Sequence, residues 1–319
     1  MMEDKIIHYG EIKCNNINKK EIQCSNNAYY IVDGEYLCGV HSRNKDREEL
    51  PHFSKREKEE IENKEREIEN KEIEEARRSN NKNNRKGDVI VSKLRMMRKP
   101  EYREGYLKVF PNNKHQNRKD GFGCSSLSPM KLGPVEHNNP YLPECQTIEG
   151  FHQGSKVFRE EVRRIKMIIH YKDKKVIRNF IAIKPLFYKN RREFYETKTP
   201  PRYKYKGTSG NKNIPLFFIW SDKSGKEVRL TYVDSRQFYC NFYERLASKQ
   251  KDFMKLQKMI RKGYNIQICG YDGRDINKID IEKEYLNPNA PFGHELVLYT
   301  MLVLDENEYP WRKYKTFEY

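Results

Sequence analysis

Apolar residues are unevenly spread along this chain, and their spacing divides it into stretches of different character. From Ser54 to Arg78 the only aliphatic residues before Ala76 are Ile61, Ile68 and Ile73, set among ten Glu and eight Lys or Arg. That pattern predicts a helix with Glu to Lys pairs along its surface. Three isoleucines are too sparse for a coiled-coil seam, which needs both a and d positions over several heptads. The helix therefore reads as a solvated spacer, with a weakly dimerising strand as the other reading. The polar tract from Ser79 to Gly87 lacks any apolar residue and predicts a flexible hinge. Residues 1–53 then form a small head, 54–87 a charged helix and linker, and 88–319 a large body.

In the body, short runs rich in β-branched and aromatic residues, Tyr106 to Phe110 and Ile214 to Trp220, predict strands. The turn SDKSG, with Gly225 near its tip, leads from the second of these to a further strand over Lys226 to Val233. From Arg236 to Lys262, Phe238, Phe242, Leu246, Phe253, Leu256, Met259 and Ile260 recur at helical spacing. They predict one amphipathic helix stopped by Gly263. A strand over Tyr264 to Cys269, the loop GYDGRD and a helix through FGHELVLYTMLVL follow. Between Phe158 and Lys206 the pattern is ambiguous: REEVRRIKMIIHY fits a helix that ends as a strand, and VIRNFIAI fits a strand. The class that holds these elements is α+β.

Composition sharpens this picture. Only 36% of the 319 residues are apolar, below the ordinary globular share, and the spacer accounts for part of that deficit. The formal charge is +17, with 63 Lys and Arg against 46 Asp and Glu. The spacer carries −2, so the rest stands at +19. Abundant Asn, Lys and Ile with scarce Ala also fit the codon pressure of an AT-rich genome, which weakens any inference from lysine content alone. No window approaches 18 uncharged apolar residues, and MMEDKIIHYGEIK lacks a signal-peptide core. The expectation is an intracellular protein that does not enter a membrane, its seven irregularly spaced cysteines kept as reduced thiols.

In the head, Cys14, Cys24, Cys38 and His41 follow C-x9-C-x13-C-x2-H. Three thiols and an imidazole suit tetrahedral Zn²⁺, and four protein ligands leave no open position, so the metal would be structural. Few large apolar side chains are available to fold fifty residues without such a staple. His8 can stand in for one ligand. Scattered thiols remain the other reading, because Cys14 and Cys24 lack the short spacing of a regular finger.

Three polar clusters in the body combine glycines with ionisable groups. Lys114, His115, Asn117, Arg118, Lys119 and Asp120 precede a Gly-Phe-Gly turn and Ser125, Ser126 and Ser128, a loop able to offer cations and N–H groups to a phosphate, or simply an exposed basic loop. On a helix starting near Thr147, Glu149, His152, Gln153 and Lys156 share one face beside Phe151 and Phe158, which is either a site or a surface stripe. In ICGYDGRD, Tyr271, Asp272, Arg274 and Asp275 follow a strand end, where α/β folds place ligand loops. His294 and Glu295 open the next helix. Cys124 and Cys145 near His115, His137 and His152 give a weaker thiol reading.

The second and third clusters resemble the NADAR family, intracellular α+β domains associated with cleavage of N-glycosidic bonds in ADP-ribosyl adducts and in a riboflavin-pathway intermediate. Leu127 and Ser128 resemble that family's early Leu-Ser, and EGFHQGSKV keeps Glu149, Gln153 and Lys156 at matching spacing, with Phe151 at an aromatic position. Gly150 stands where the family has His, His152 stands where it has an aromatic, and Asp272, Gly273 and Asp275 only echo its Asp-x-x-Trp-Gly loop. A β-rich insertion at about 160–235 interrupts the likeness. The resemblance implies a hydrolase with Glu149, Asp272 and Asp275 as catalytic carboxylates. Lys114, Arg118, Ser128, Gln153, Lys156 and His294 would bind a phosphate-bearing nucleotide, and Phe151 or Tyr271 would stack its base. With its Asn and Lys bias and cysteine head, the whole chain is also similar to proteins of large nucleocytoplasmic DNA viruses, which implies a host cytoplasm or virion setting. The rival reading is a non-enzymatic nucleic-acid-binding or DNA-packaging scaffold. A basic chain binds DNA or RNA by counterion release, and Tyr188 to Gly207 interleaves aromatics with Lys and Arg.

Overall fold

The computed structural model of the chain describes residues 11–18, 21–50, 55–95, 98–171, 174–201, 215–222, 224–274 and 279–315. The chain divides into a smaller unit within Met1–Glu74 and a larger one comprising Glu75–Arg95 and Lys99–Tyr319. In the smaller unit, β1 (Tyr30–Val32), β2 (Glu35–Leu37) and β3 (Glu48–Glu49) form an antiparallel sheet in the order β2-β1-β3. Asp33 and Gly34 join β1 to β2 with φ of 51° and 78°. This two-residue turn needs left-handed backbone at both positions, which Asp-Gly supplies.

The charged stretch is one helix, α1 (Lys55–Lys82), on which Ile68 is exposed and Ile73 is buried. The hinge expected over Ser79 to Gly87 is corrected. The helix continues through Ser79 to Lys82, and Asn80 Nδ2 donates to the Gly263 carbonyl and to Asn265 Oδ1, each at 2.9 Å. The Gly87 N–H donates to the Ile260 carbonyl. Side-chain amides that composition alone reads as solvated are here satisfying main-chain groups.

The larger unit continues with β4 (Val89–Lys93), β5 (Tyr106–Phe110), β6 (Phe122–Gly123), α2 (Ile148–Ser155), β7 (Lys156–Val157), β8 (Val162–Tyr171), β9 (Lys174–Ile183) and α3 (Pro185–Glu196). It ends with β10 (Phe217–Ser221), β11 (Glu227–Leu230), α4 (Tyr232–Ala247), α5 (Lys251–Arg261), β12 (Asn265–Gly270), α6 (Ile281–Leu286), α7 (His294–Val303) and α8 (Pro310–Lys313). The class is α+β, as expected. A parallel sheet runs β4-β12-β5-β6, a second sheet runs β11-β10-β7, and among the described residues β8 pairs with β9 alone. Buried Val89, Val91, Val109, Ile266 and Ile268 of the parallel sheet share one core with α2, α4, α5 and α7. Because parallel strands end on the same side, the loops after β5 and β12 emerge together. No helix among the described residues is long and apolar enough to cross a membrane.

Two local expectations change. The single helix expected from Arg236 to Lys262 is two, α4 and α5, with a corner at Ser248 to Gln250. The seven-residue step from Leu246 to Phe253 keeps helical phase and so hides that corner. The ambiguous REEVRRIKMIIHY is a short 3-10 turn over Arg159–Glu161 followed by β8, with no α-helix.

Arg236 has a role that its place in an amphipathic pattern does not announce. Its guanidinium is 3% exposed and donates to the main-chain carbonyls of Glu284, Tyr285, Asn287 and Ala290, closing the end of α6 and shaping the approach to α7. Charged hydrogen bonds of this kind contribute about 1.5–3 kcal/mol each. Arg236→Ala is expected to cost about 3 kcal/mol or more in urea unfolding; a loss below about 1 kcal/mol, the ordinary effect of a mild substitution, would contradict the role.

Candidate functional site

The head brings its four donors together through backbone pairing. The bridges Lys13↔Asn27 and Ile17↔Gln23 fold the chain back on itself, so that Cys14 and Cys24 face one another despite their long spacing. The Asp33-Gly34 turn returns the chain to Cys38, and the N–H groups of His41 and Ser42 donate to the Cys38 carbonyl in a tight knuckle. Cys14 Sγ and Cys38 Sγ lie 3.3 and 3.4 Å from His41 Nδ1, and the four donor atoms all lie within 4.8 Å of one another. Tetrahedral ligands around a metal with 2.3 Å metal–sulfur bonds sit about 3.8 Å apart, so this cluster can hold a metal ion. Burial opposes ionisation of the Cys38 thiol, but the N–H groups of His41 and Val40 and the Asn26 amide outweigh it and lower its pKa, whereas burial raises that of Cys14. The Asn26 Nδ2 lies 3.7 Å from Cys38 Sγ, the kind of outer partner that orients a ligand. His8 lies outside the described residues.

In the larger unit, α2 starts where the Thr147 hydroxyl accepts from the Gly150 N–H at 3.0 Å. A Cβ at Gly150 would lie 2.5 Å from the Phe194 carbonyl oxygen, so glycine is what allows α3 to pack this closely. On the same helix, Gln153 Nε2 donates to Glu149 Oε1 at 2.8 Å, and Lys156 Nζ donates to Gln153 Oε1 at 3.2 Å. Lys156 is already the first residue of β7, yet it remains in line with the helical pair. Burial lowers the pKa of its ammonium against the opposing pull of Glu149 and Asp272.

Asp272 follows β12, and it meets the start of α7. A Cβ on Gly293 would fall 2.7 Å from Glu295 Oε2 and 3.1 Å from Asp272 Oδ2, and one on Gly270 would fall 1.9 Å from Glu295 Oε1. Two glycines thus admit a carboxylate into the packed end of the sheet. The Glu295 side chain is 1% exposed, with His294 Nδ1 at 3.2 Å from its Oε2. Burial raises its pKa and the Asp272 charge adds to this, against the pull of His294. Among the described residues, neither His294 Nε2 nor Glu295 Oε2, both buried, has a hydrogen-bond partner. The Tyr239 hydroxyl is also held well above its ordinary pKa, by burial and then by the charges of Glu149 and Glu295. Glu149, Gln153, Lys156, Asp272, His294 and Glu295 therefore form one electrostatically linked group at the carboxyl end of the parallel sheet.

Other expected site residues fall elsewhere. Arg118 is engaged by Asp120, Nε to Oδ1 at 2.7 Å, with its guanidinium 4.1 Å over the Phe110 ring, so its charge is already matched. Lys114 is exposed. Ser128 is buried and its hydroxyl accepts from the Met130 N–H at 3.3 Å within a turn. Phe151 is core: it packs on Phe242, Tyr195 and Trp220 at ring separations of 5.0, 5.8 and 6.0 Å, and this removes it as a base-stacking group. Tyr271 is half-buried, its hydroxyl 3.4 Å from His115 Nε2. Asp275 lies outside the described residues. Cys124 and Cys145 are buried and burial raises both thiol pKa values, that of Cys145 to about 12, so neither is poised as a nucleophile. In Tyr188 to Gly207, Arg191 is buried against Glu227 at 3.1 Å, and Tyr195 is buried. Those side chains are part of the fold, not a stacking surface; residues 202–207 lie outside the described residues. Tyr239 is the neighbour of this group that spacing does not single out, and Glu295, noted beside His294, receives no role from it.

His152, expected on the face of Glu149 and Gln153, turns instead between Phe218 and Tyr239, at ring separations of 5.6 and 5.2 Å. Burial, reinforced by Lys156, holds its pKa well below 6.5. Below pH 6.5 the unfolded chain binds a proton there that the folded one refuses, so stability falls with pH. Between pH 7.5 and 5.5 this one group is expected to cost up to about 1.4 kcal/mol, the linkage value for a tenfold change in proton occupancy of the unfolded chain. His152→Phe should shrink the measured difference by that amount, and an unchanged difference would contradict the assignment.

Comparison of the chain with protein-family models, with curated proteins and with solved structures finds no match.

Proposed function

We propose that the larger unit is an N-glycosidase-like hydrolase, resembling the NADAR domains, that acts on an ADP-ribosylated or phosphoribosyl nucleobase, and that the head carries a structural Zn²⁺. The observation that carries the first part is the hydrogen-bonded line Glu149–Gln153–Lys156 with Asp272 acting on the same ammonium. Breaking an N-glycosidic bond leaves positive charge on the ribose at C1, and a fixed carboxylate beside that carbon stabilises it and takes a proton from the attacking water. Glu149, oriented by Gln153, is that carboxylate. The C1–N bond breaks as the C1–O bond forms, and the departing base nitrogen receives a proton. The Asp272 and Glu295 pair is suited to supply it, because burial of Glu295 favours a retained proton. Lys156, half-desolvated, binds phosphate, and Tyr271 stands at the loop edge to cover the base.

The donor set of the head, three thiols and one imidazole, is the chemistry zinc prefers over harder cations. The hydrolase reading is tested by mass-spectrometric detection of free ADP-ribose after incubation with ADP-ribosylated guanine nucleoside. Release above the rate without protein is expected; absence of release from this substrate and from phosphoribosyl nucleobase would contradict it.

A further inference from the structure

β8 and β9 pair in unbroken antiparallel register from Val162↔Ile183 to Tyr171↔Lys174, a ribbon about 33 Å long at ~3.3 Å per residue. Its base is fastened to the body. Val162 and Ile183 pack on Val157, Phe187 and Ile219, Arg229 donates to the Ile181 carbonyl at 2.7 Å, and Glu161 accepts from Asn190 and from the Phe158 N–H. Beyond the base, Arg163, Arg164, Lys166, Ile168, Lys175 and Phe180 are exposed. A lone two-stranded ribbon is marginal in water, and among the described residues Val162 and Ile183 at its base are the ones that join a buried cluster.

Charge selects the class of partner. Residues 162–183 carry seven Lys or Arg against one Asp, so the partner is a polyanion. The distribution of that charge selects among polyanions. Alternation along the strand puts Arg164, Lys166 and Ile168 on one face with the cross-strand Ile181, and Arg163 on the other with Phe180, the partner of Ile165. Basic and apolar groups thus occur on both faces, whereas a segment lying on a lipid surface separates them. A ribbon cationic on both faces fits between two phosphate walls. The major groove of B-form DNA, about 12 Å wide, admits a two-stranded ribbon, and the deep, narrow groove of A-form RNA does not.

We propose that the β8–β9 ribbon is a DNA-binding arm that enters the major groove of a duplex, with Arg163, Arg164, Lys166 and Lys175 against the phosphates. The assignment is independent of the hydrolase reading. It is tested by fluorescence anisotropy of a short mixed-sequence DNA duplex with the full chain, at salt from about 50 to 200 mM. Parallel arms use duplex RNA of the same sequence and anionic phosphatidylserine vesicles. Each phosphate contact adds about 0.9 to the slope of log affinity against log salt. Replacing the four cations by Gln is therefore expected to flatten the slope by about 3–4 and to weaken binding at least about tenfold, with an unchanged circular dichroism spectrum. Glu149→Gln should leave the slope as it is. The proposal is overturned if the wild-type chain does not bind the DNA duplex, if the four-fold variant binds it equally well, if duplex RNA binds as tightly, or if the variant loses vesicle binding and keeps DNA binding. None of these results bears on catalysis at Glu149.

Discussion

Stripping the proposed zinc from the intact chain is expected to unfold the head while leaving the larger unit folded. Among the described residues, the buried apolar cluster at the donors consists of Val32 and Leu37 together with Cys14 and Cys38, so half of that cluster is the donor set itself. Its sheet has strands of two or three residues, too short to stand by themselves. Structural zinc contributes about 10–16 kcal/mol in small metal-stapled folds, as much as or more than the 5–15 kcal/mol that holds a whole domain. Metal analysis of protein purified without chelator should give about one zinc per chain, and Cys38→Ser, with one of four ligands lost, should give well under half of that. After chelation, hydrogen exchange of amides in residues 11–50 should rise to the rate of an unfolded chain, with protection in β12 and α7 unchanged. A metal-free head that kept its amide protection would rule out the staple.

How far the sequence discloses this protein depends on whether a feature is local. The donors of the head are legible because soft ligand types are rare and any cluster of them is conspicuous; what closes the long Cys14 to Cys24 gap is the pairing of Lys13 with Asn27 and Ile17 with Gln23, which no ligand spacing encodes. Strands such as β5 and β12 show in their β-branched runs, and Gly263 stops α5 with φ of 87° as its position suggests. The hinge failed because composition cannot tell an amide facing water from Asn80 meeting the Gly263 carbonyl. Periodicity placed Glu149 and Gln153 together, but it could not see that His152 and Phe151 meet aromatics arriving from α3, α4 and β10. The Arg118 charge looked available for phosphate, and a partner two residues away, Asp120, takes it. Glu295 reads as an ordinary acidic residue in the first turn of a helix. Its burial comes from the close approach of Gly270 and Gly293, a tertiary event with no local signature.

Glu149→Gln carries the second large expected effect. The substitution keeps the side-chain volume and an oxygen to accept from Gln153 Nε2, so α2, capped at Thr147 and packed through Gly150 on α3, should keep its fold and its melting temperature. Under the proposed mechanism, what is lost is the negative charge beside the ribose carbon and the acceptor for the proton of water. Removal of one such group from a preorganised site costs about 10²–10⁴ in rate. Lys156 would at the same time lose one of the two carboxylates that oppose the effect of its burial, so its pKa should fall and phosphate binding should weaken at alkaline pH. Near neutrality the affinity for ADP-ribose should change by less than about threefold, because uniform binding does not depend on the catalytic charge. The most direct measurement is the single-turnover rate of ADP-ribose release from ADP-ribosylated guanine nucleoside, wild type beside Glu149→Gln, with ADP-ribose affinity determined on the same preparations. A fall of about a hundredfold or more in rate at nearly constant affinity is the expected result; equal rates for the two proteins, or no release by the wild type, would contradict the assignment of Glu149 as the carboxylate of an N-glycosidase.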